Sequence, residues 1–190
     1  MIYDTRDFEP APGSGSWIDA VFEWSHETIA SVYNFRRLTF NQRKYISLTK
    51  KLELAQRLAL IQSWGDIPFY EAAFIPSTFR IEEGIGGAKS VRGLLKNRYT
   101  GPVQGFGNLE LRWRVKDFSL IGQSLFLALN AFYDFGGAWN NLERISTNTI
   151  HAGQGGGIQI GWDESFIISV NAGRSKETDF ALYIGVGYLF

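Results

Sequence analysis

Phe180-Ala181-Leu182-Tyr183-Ile184-Gly185-Val186-Gly187-Tyr188-Leu189-Phe190 is the stretch on which the fold turns. Read with a period of two, Phe180, Leu182, Ile184, Val186, Tyr188 and Phe190 make one wholly apolar face. Ala181, Tyr183, Gly185 and Gly187 on the other face are small or able to hydrogen-bond. An apolar stripe that runs to an aromatic last residue suits a transmembrane barrel, in which lipid takes the apolar face and aromatics sit at the interface. The competing reading is the last strand of a soluble sandwich, which has the same alternation.

Seven further segments carry that alternation. Ile18, Ala20, Phe22 and Trp24 oppose Trp17, Asp19, Val21 and Glu23; Leu38, Phe40 and Ile46 oppose Arg37, Thr39 and Arg43. In 52–64, Leu54, Leu58 and Leu60 oppose Arg57 and Ser63, a spacing that also suits an amphipathic helix. Leu109, Leu111, Trp113 and Val115 alternate with Asn108, Glu110, Arg112 and Arg114. Leu125 to Phe135, Ile158 to Trp162 and Phe166 to Asn171 complete a set of about eight strands. Several approach the 9–11 residues of a tilted membrane strand. Alternation by itself does not say which face is inside. Segment length, the girdle aromatics Trp24, Trp113 and Trp162 and the terminal Phe favour the membrane reading.

Composition removes several function classes. Lys plus Arg and Asp plus Glu each number 19 in 190 residues, so no bulk field or basic run invites nucleic acid. No Cys is present, which excludes disulfides and thiolate metal sites. His26 and His151 stand far apart without ligand spacing, so no metal or other cofactor is expected. No run of 18 apolar residues would make a transmembrane helix, whereas a membrane barrel needs only alternate residues apolar. Met1 to Arg6 lacks the apolar core of a signal peptide, so the chain is expected to be a mature form, an excised domain or a gene fragment. Asp163-Glu164 and Glu82-Glu83 read as turn or loop charges, and no Ser/His/Asp order with an elbow motif occurs, so no enzyme is expected.

Pro68 to Gly105 is too long for a passive hairpin connection, and loops of this length are usually functional or disordered. Its aromatics and the run Gly84-Ile85-Gly86-Gly87-Ala88-Lys89-Ser90-Val91-Arg92-Gly93 argue against disorder. No Gly-Lys-Ser/Thr follows in a strand-to-helix context, so the glycines are not a phosphate cradle. A loop of this composition with one central Arg reads as a plug folded back into a polar lumen. Its guanidinium would then need carboxylates, and Glu110 and Asp134 are the best-placed candidates. The plainer reading leaves Arg92 as a solvated loop charge.

The order of motifs resembles the C-terminal barrel half of the BamA/TamA outer-membrane assembly-factor superfamily, of bacterial surface antigen type. Asp4-Thr5-Arg6-Asp7 followed by Pro12-Gly13-Ser14-Gly15 is similar to its D-x-R-D…P-x-x-G turn. Ile67-Pro68-Phe69-Tyr70-Glu71 is similar to the segment before its long loop, and Gly86-Gly87 with Val91-Arg92-Gly93 to the loop tip. Asn108-Leu109-Glu110, Phe132-Tyr133-Asp134-Phe135-Gly136 and Gly155-Gly156-Gly157 follow the order of its later strands. The ending, with Tyr183, Gly185, Tyr188 and Phe190, resembles the C-terminal assembly signal of bacterial outer-membrane proteins. Leu94 stands where the family has an aromatic, and about eight extra residues, around Ile75 to Glu83, precede Gly86-Gly87.

The resemblance implies an all-β, antiparallel transmembrane β-barrel of about eight strands, alone or as half of a larger barrel, with a long lumenal loop at about 68–105. Residues 1–190 then form a single outer-membrane domain. Arg92 is implied to pair with Glu110 and Asp134 inside the lumen. Eight strands closing alone leave an interior just filled by side chains, so two halves making one larger barrel is the arrangement expected. The implied function is insertion or translocation of proteins by strand pairing in the bacterial cell outer membrane, without an enzyme active site. Implied partners are the lipid bilayer and either client outer-membrane proteins or a second copy, with no nucleic acid. The alternative is a membrane anchor or pore barrel of a larger protein, such as a patatin-like phospholipase.

Overall fold

The computed structural model describes all residues except 30, 79–81 and 163–164. Its strands are β1 (Ile2–Asp4), β2 (Gly15–Ser25), β3 (Phe35–Thr49), β4 (Leu52–Gly65), β5 (Phe74–Ile75), β6 (Glu82–Glu83), β7 (Val103–Leu120), β8 (Gln123–Trp139), β9 (His151–Trp162), β10 (Phe166–Ser175) and β11 (Ala181–Val186). Nine form one sheet in the order β1-β2-β3-β4-β7-β8-β9-β10-β11, every neighbouring pair antiparallel. The segment 52–64 is therefore a strand, paired on one side with β3 and on the other with β7. Among the described residues no helix is long and apolar enough to cross a membrane, which leaves crossing by strands open.

Turn chemistry sets the register locally. In the hairpin of β7 and β8, Leu120 pairs with Gln123 across Ile121 and Gly122, whose φ values are 53° and 76°. Two central residues with positive φ make a turn whose twist matches the strands it joins. Gly122 takes that conformation freely, while the β-branched Ile121 adopts it at a steric cost.

The sheet is polar on its concave face and apolar on its convex one. Asp19, Arg37, Asn41, Arg43, Arg57, Asn108, Glu110, Arg112, Asn130, Asp134, Gln159 and Asn171 are all buried. Leu38, Phe40, Leu58, Leu60, Leu109, Leu111, Leu129, Ile158, Ile160, Ile168 and Val170, at the alternate positions of the same strands, are exposed. A soluble sandwich has the opposite arrangement, because water rewards polar groups outside and burial rewards apolar ones inside.

The segment between β4 and β7 folds back over the concave face. Ile75, Ile85, Val91 and Leu94 from it pack with Ala59, Ile61 and Phe106 of β4 and β7. At the two ends of the extra residues near Ile75 to Glu83, β5 and β6 pair, Phe74 with Glu83 and Ile75 with Glu82, so that Glu82 and Glu83 lie on a short strand. Of the other acids read as turn charges, Asp163 and Glu164 lie outside the described residues, as do the loop residues Phe79 and Ile81.

One feature differs from the reading of the sequence: a short edge strand, β1, precedes the eight expected. The sheet is not closed, and β1 and β11 are its two edges.

The final strand requires a correction. Its apolar alternation continues to Phe190, yet β11 ends at Val186. Gly187 takes φ +82° and donates its N–H to the carbonyl of Ile167 at 2.7 Å. The chain thereby turns to the concave side, where Leu189 and Phe190 are buried with Tyr45 and Ala55. Gly187 makes this turn without a Cβ penalty, and the concave pocket covers apolar surface that the convex face leaves bare.

Candidate functional site

The site is the meeting of the loop tip with the concave wall. Arg92 lies on the loop, 1% exposed, and reaches two neighbouring strands. Its Nε donates to Asp134 Oδ2 at 2.7 Å, its Nη2 to Asp134 Oδ1 at 3.1 Å, and its Nη1 to Glu110 Oε2 at 2.8 Å. The Arg92 backbone N–H also donates to Asp134 Oδ2, at 3.1 Å. Its guanidinium carbon lies 3.5 Å from the centre of the Phe132 ring. A planar fork facing two carboxylates, with one face on an aromatic, is a geometry that Lys does not reproduce.

The strands place these partners by their period. Asn108, Glu110 and Arg112 recur every second residue of β7, and Phe132 and Asp134 do the same on β8, so all five face inward. Arg112 Nε donates to the second oxygen of Glu110 at 2.9 Å, and its Nη1 to Glu53 at 3.0 Å. Arg112 Nη2 donates to the carbonyl of Phe190 at 3.2 Å, and its guanidinium covers the Tyr188 ring at 3.9 Å. Buried charges are tolerable when paired and hydrogen-bonded in this way.

Two more arginines hold the loop through its backbone. Arg57 of β4 donates to the carbonyl of Lys89 and, through Nε, to Asn108 at 2.9 Å, with its guanidinium over the Phe106 and Phe190 rings. Arg37 of β3 donates to the carbonyls of Glu71 and Phe74 and forms ion pairs with Glu71 and Glu23. The loop is thus gripped near its start, at its middle and at its tip.

The wall has also been cleared for the tip to approach. A Cβ on Gly153 of β9 would stand 1.8 Å from the carbonyl oxygen of Arg92. Gly93 takes φ +93°, and the hydroxyl of Ser175 on β10 donates to its carbonyl at 2.8 Å.

The rim carries a second contact. The Tyr99 hydroxyl donates to Glu177 Oε1 at 2.6 Å, and Arg98 Nε to Glu177 Oε2 at 3.4 Å. His151 Nδ1 lies 2.9 Å from the same carboxylate, and the Tyr99 and His151 rings stack with centres 3.8 Å apart. The Tyr99 hydrogen bond holds the Glu177 carboxyl below its ordinary range; Arg98 and His151 add to this and partial burial opposes it.

Of the residues singled out from the sequence, Val91, Arg92, Gly93, Glu110, Asp134 and Tyr183 converge here. Gly185 lies on β11, with only Ser169 near its Cβ position, while Tyr188 and Phe190 join the Arg112 end of the network. The sequence does not single out Arg57, Arg112, Phe132 or Gly153, nor Gln159, whose Nε2 donates to Glu110 Oε1 at 3.4 Å. The repeat of Asn108, Glu110 and Arg112 at every second position is the signal for Arg112. The clearance at Gly153 leaves no mark in a single sequence. Among the described residues, no group of three or more His, Cys, Asp or Glu side chains is arranged to hold a metal ion.

The Omp85 superfamily domain matches residues 1–167. The fold is similar to that in the crystal structure of BamA from Haemophilus ducreyi lacking POTRA domains 1-3, with a TM-score of 0.72 at 15% identity. That similarity covers 98% of this chain and 41% of the BamA chain, so the present chain spans about two-fifths of its length. No curated protein matches the chain.

Proposed function

The chain belongs to the Omp85 superfamily, and from that premise we propose that it is one half of an outer-membrane barrel of the protein-insertion type. Residues 1–190 then act as one membrane domain in the bacterial outer membrane. Its convex face meets lipid, its loop is held in the lumen by Arg92, and its open sheet edge pairs with a client strand. Pairing at an edge needs unsatisfied backbone N–H and C=O groups and no catalytic residue.

The observation that carries this reading is the inverted polarity of the sheet. Leu109 and Leu111 are exposed on β7 while Asn108, Glu110 and Arg112 between and beside them are buried. Lipid rewards that arrangement and water does not. The open sheet supports the half-barrel reading, because strands in hydrocarbon must pair every backbone group. The lumenal arginine network supports a loop whose position is fixed relative to the edge.

The test is folding in detergent or bilayer against plain buffer, followed by Leu111→Arg. The chain should fold cooperatively only with detergent or lipid, and the substitution should cost about 2–4 kcal/mol if Leu111 lies near the bilayer midplane. A monodisperse, cooperatively folding sample in detergent-free buffer overturns the membrane reading.

A further inference from the structure

The convex face bears a groove that its apolar pattern does not explain. It measures about 370 Å³ and is bordered by Gly155, Ala172, Gly173, Gln154, Arg174 and Phe180, with Asp179 and Phe132 completing its lining. It exists because small residues replace the Leu and Ile of the neighbouring outward rows: Gly156 pairs with Ala172 across β9 and β10. The adjoining inward pair, Gly155 and Gly173, carries no side chain either and has the Phe132 ring against it. Phe180, 67% exposed, stands along one side.

Arg174 gives the groove a polarity. At outward positions β9 carries Ala152, Gln154, Gly156, Ile158, Ile160 and Trp162, and β10 carries Phe166, Ile168, Val170, Ala172 and Arg174. On β11 the same face carries Leu182, Ile184 and Val186. Arg174 is the one charge among these positions. It is exposed, near the end of β10 closest to the loop rim, and makes no ion pair among the described residues; Asp179, across the groove, is not bonded to it.

We propose that this groove is a lipid site, in which an acyl chain lies along Gly155, Ala172 and Phe180 and its phosphate headgroup is bound by Arg174. The proposal rests on the convex face being the membrane face. An apolar slot suits an alkyl chain through the van der Waals contacts its walls make along the chain. A guanidinium offers a phosphate two parallel N–H donors, and a cation at the membrane interface favours anionic lipid. The occupant is a lipid of the surrounding bilayer. The site also adjoins β11, so a bound lipid would line the edge strand.

The experiment is native mass spectrometry of the full chain in neutral detergent, with phosphatidylglycerol or the phosphate-free diacylglycerol of the same chains added. Arg174→Gln should lower retention of phosphatidylglycerol about fivefold, the worth of one cation near an anionic surface, and leave diacylglycerol unchanged. Ala172→Leu, which fills the slot, should lower both. Lys44→Gln, which removes an exposed cation on the outward face of β3, should change neither. Heat-modifiable gel mobility checks that each variant is folded. Equal effects from Arg174→Gln and Lys44→Gln, or full retention by Ala172→Leu, mean an adventitious lipid only and overturn the site. Those results leave the membrane reading standing, whereas folding without detergent removes both.

Discussion

The Tyr183 hydroxyl accepts the backbone N–H of Gly93 at 2.8 Å. One residue is on the edge strand β11 and the other at the tip of a loop that leaves the sheet between β4 and β7. This hydrogen bond ties the loop to the sheet edge, while the ion pairs of Arg92 tie it to β7 and β8.

Tyr183→Phe removes that bond and keeps the ring. The expected cost is about 1 kcal/mol, the usual worth of one such bond. The readout is amide exchange at Gly93 and along Ala181–Val186. Faster exchange at Gly93 and unchanged exchange along β3 is the expected pattern, and uniform loosening of both would refute the link.

Arg92→Ala leaves Glu110 and Asp134 without their shared cation. Breaking one side of a buried pair costs about 3–5 kcal/mol, reduced here for Glu110 by Arg112, which still bonds it at 2.9 Å. Arg98→Ala should do much less, because Arg98 is largely exposed and its contact with Glu177 is 3.4 Å. Lys89→Ala keeps the backbone carbonyl that Arg57 holds. Protease sensitivity of the loop, with heat-modifiable mobility, ranks the three. Equal small effects from all of them would leave Arg92 as an ordinary loop charge.

Gly153→Ala tests the clearance beneath the tip. Its Cβ would overlap the Arg92 carbonyl at 1.8 Å, so either the loop moves out or β9 bends. The loss should be in the range of other overpacked sites, about 1–3 kcal/mol or more. Gly185→Ala, whose Cβ would find only Ser169 Oγ at 3.8 Å, should be nearly neutral. Similar melting temperatures for both variants in detergent would contradict the packing described.

Acid should release the rim. The carboxyl of Glu177 is held below its ordinary 4.5 chiefly by the Tyr99 hydrogen bond. A group with a lowered pKa contributes its full stabilisation above the unfolded value and loses it as pH falls through the folded one. Proteolysis near Arg98 and Tyr99 should therefore rise only below about pH 4.5, as the unfolded carboxyl begins to bind its proton. In Glu177→Gln it should be raised already at neutral pH and show no acid step. An acid step of the same size in that variant would assign it to another group.

The fold class was legible in the residues because a strand has a period of two, and alternation such as Asn108-Leu109-Glu110-Leu111-Arg112 survives in one dimension. The loop was legible from its length, and the residues of its tip from their order. Three things needed the third dimension. Alternation is symmetric between faces, so only the curvature of the sheet made Glu110 inward and Leu111 outward. The eleven-residue stripe from Phe180 to Phe190 is cut by the positive φ of Gly187, which turns on where the concave pocket lies and not on the stripe. The partnership of Gly93 with Tyr183, and of Arg92 with Gly153, joins residues 90 and more than 60 positions apart. Such contacts depend on which strands become neighbours and how closely the loop approaches them, and no local pattern in the chain encodes that distance.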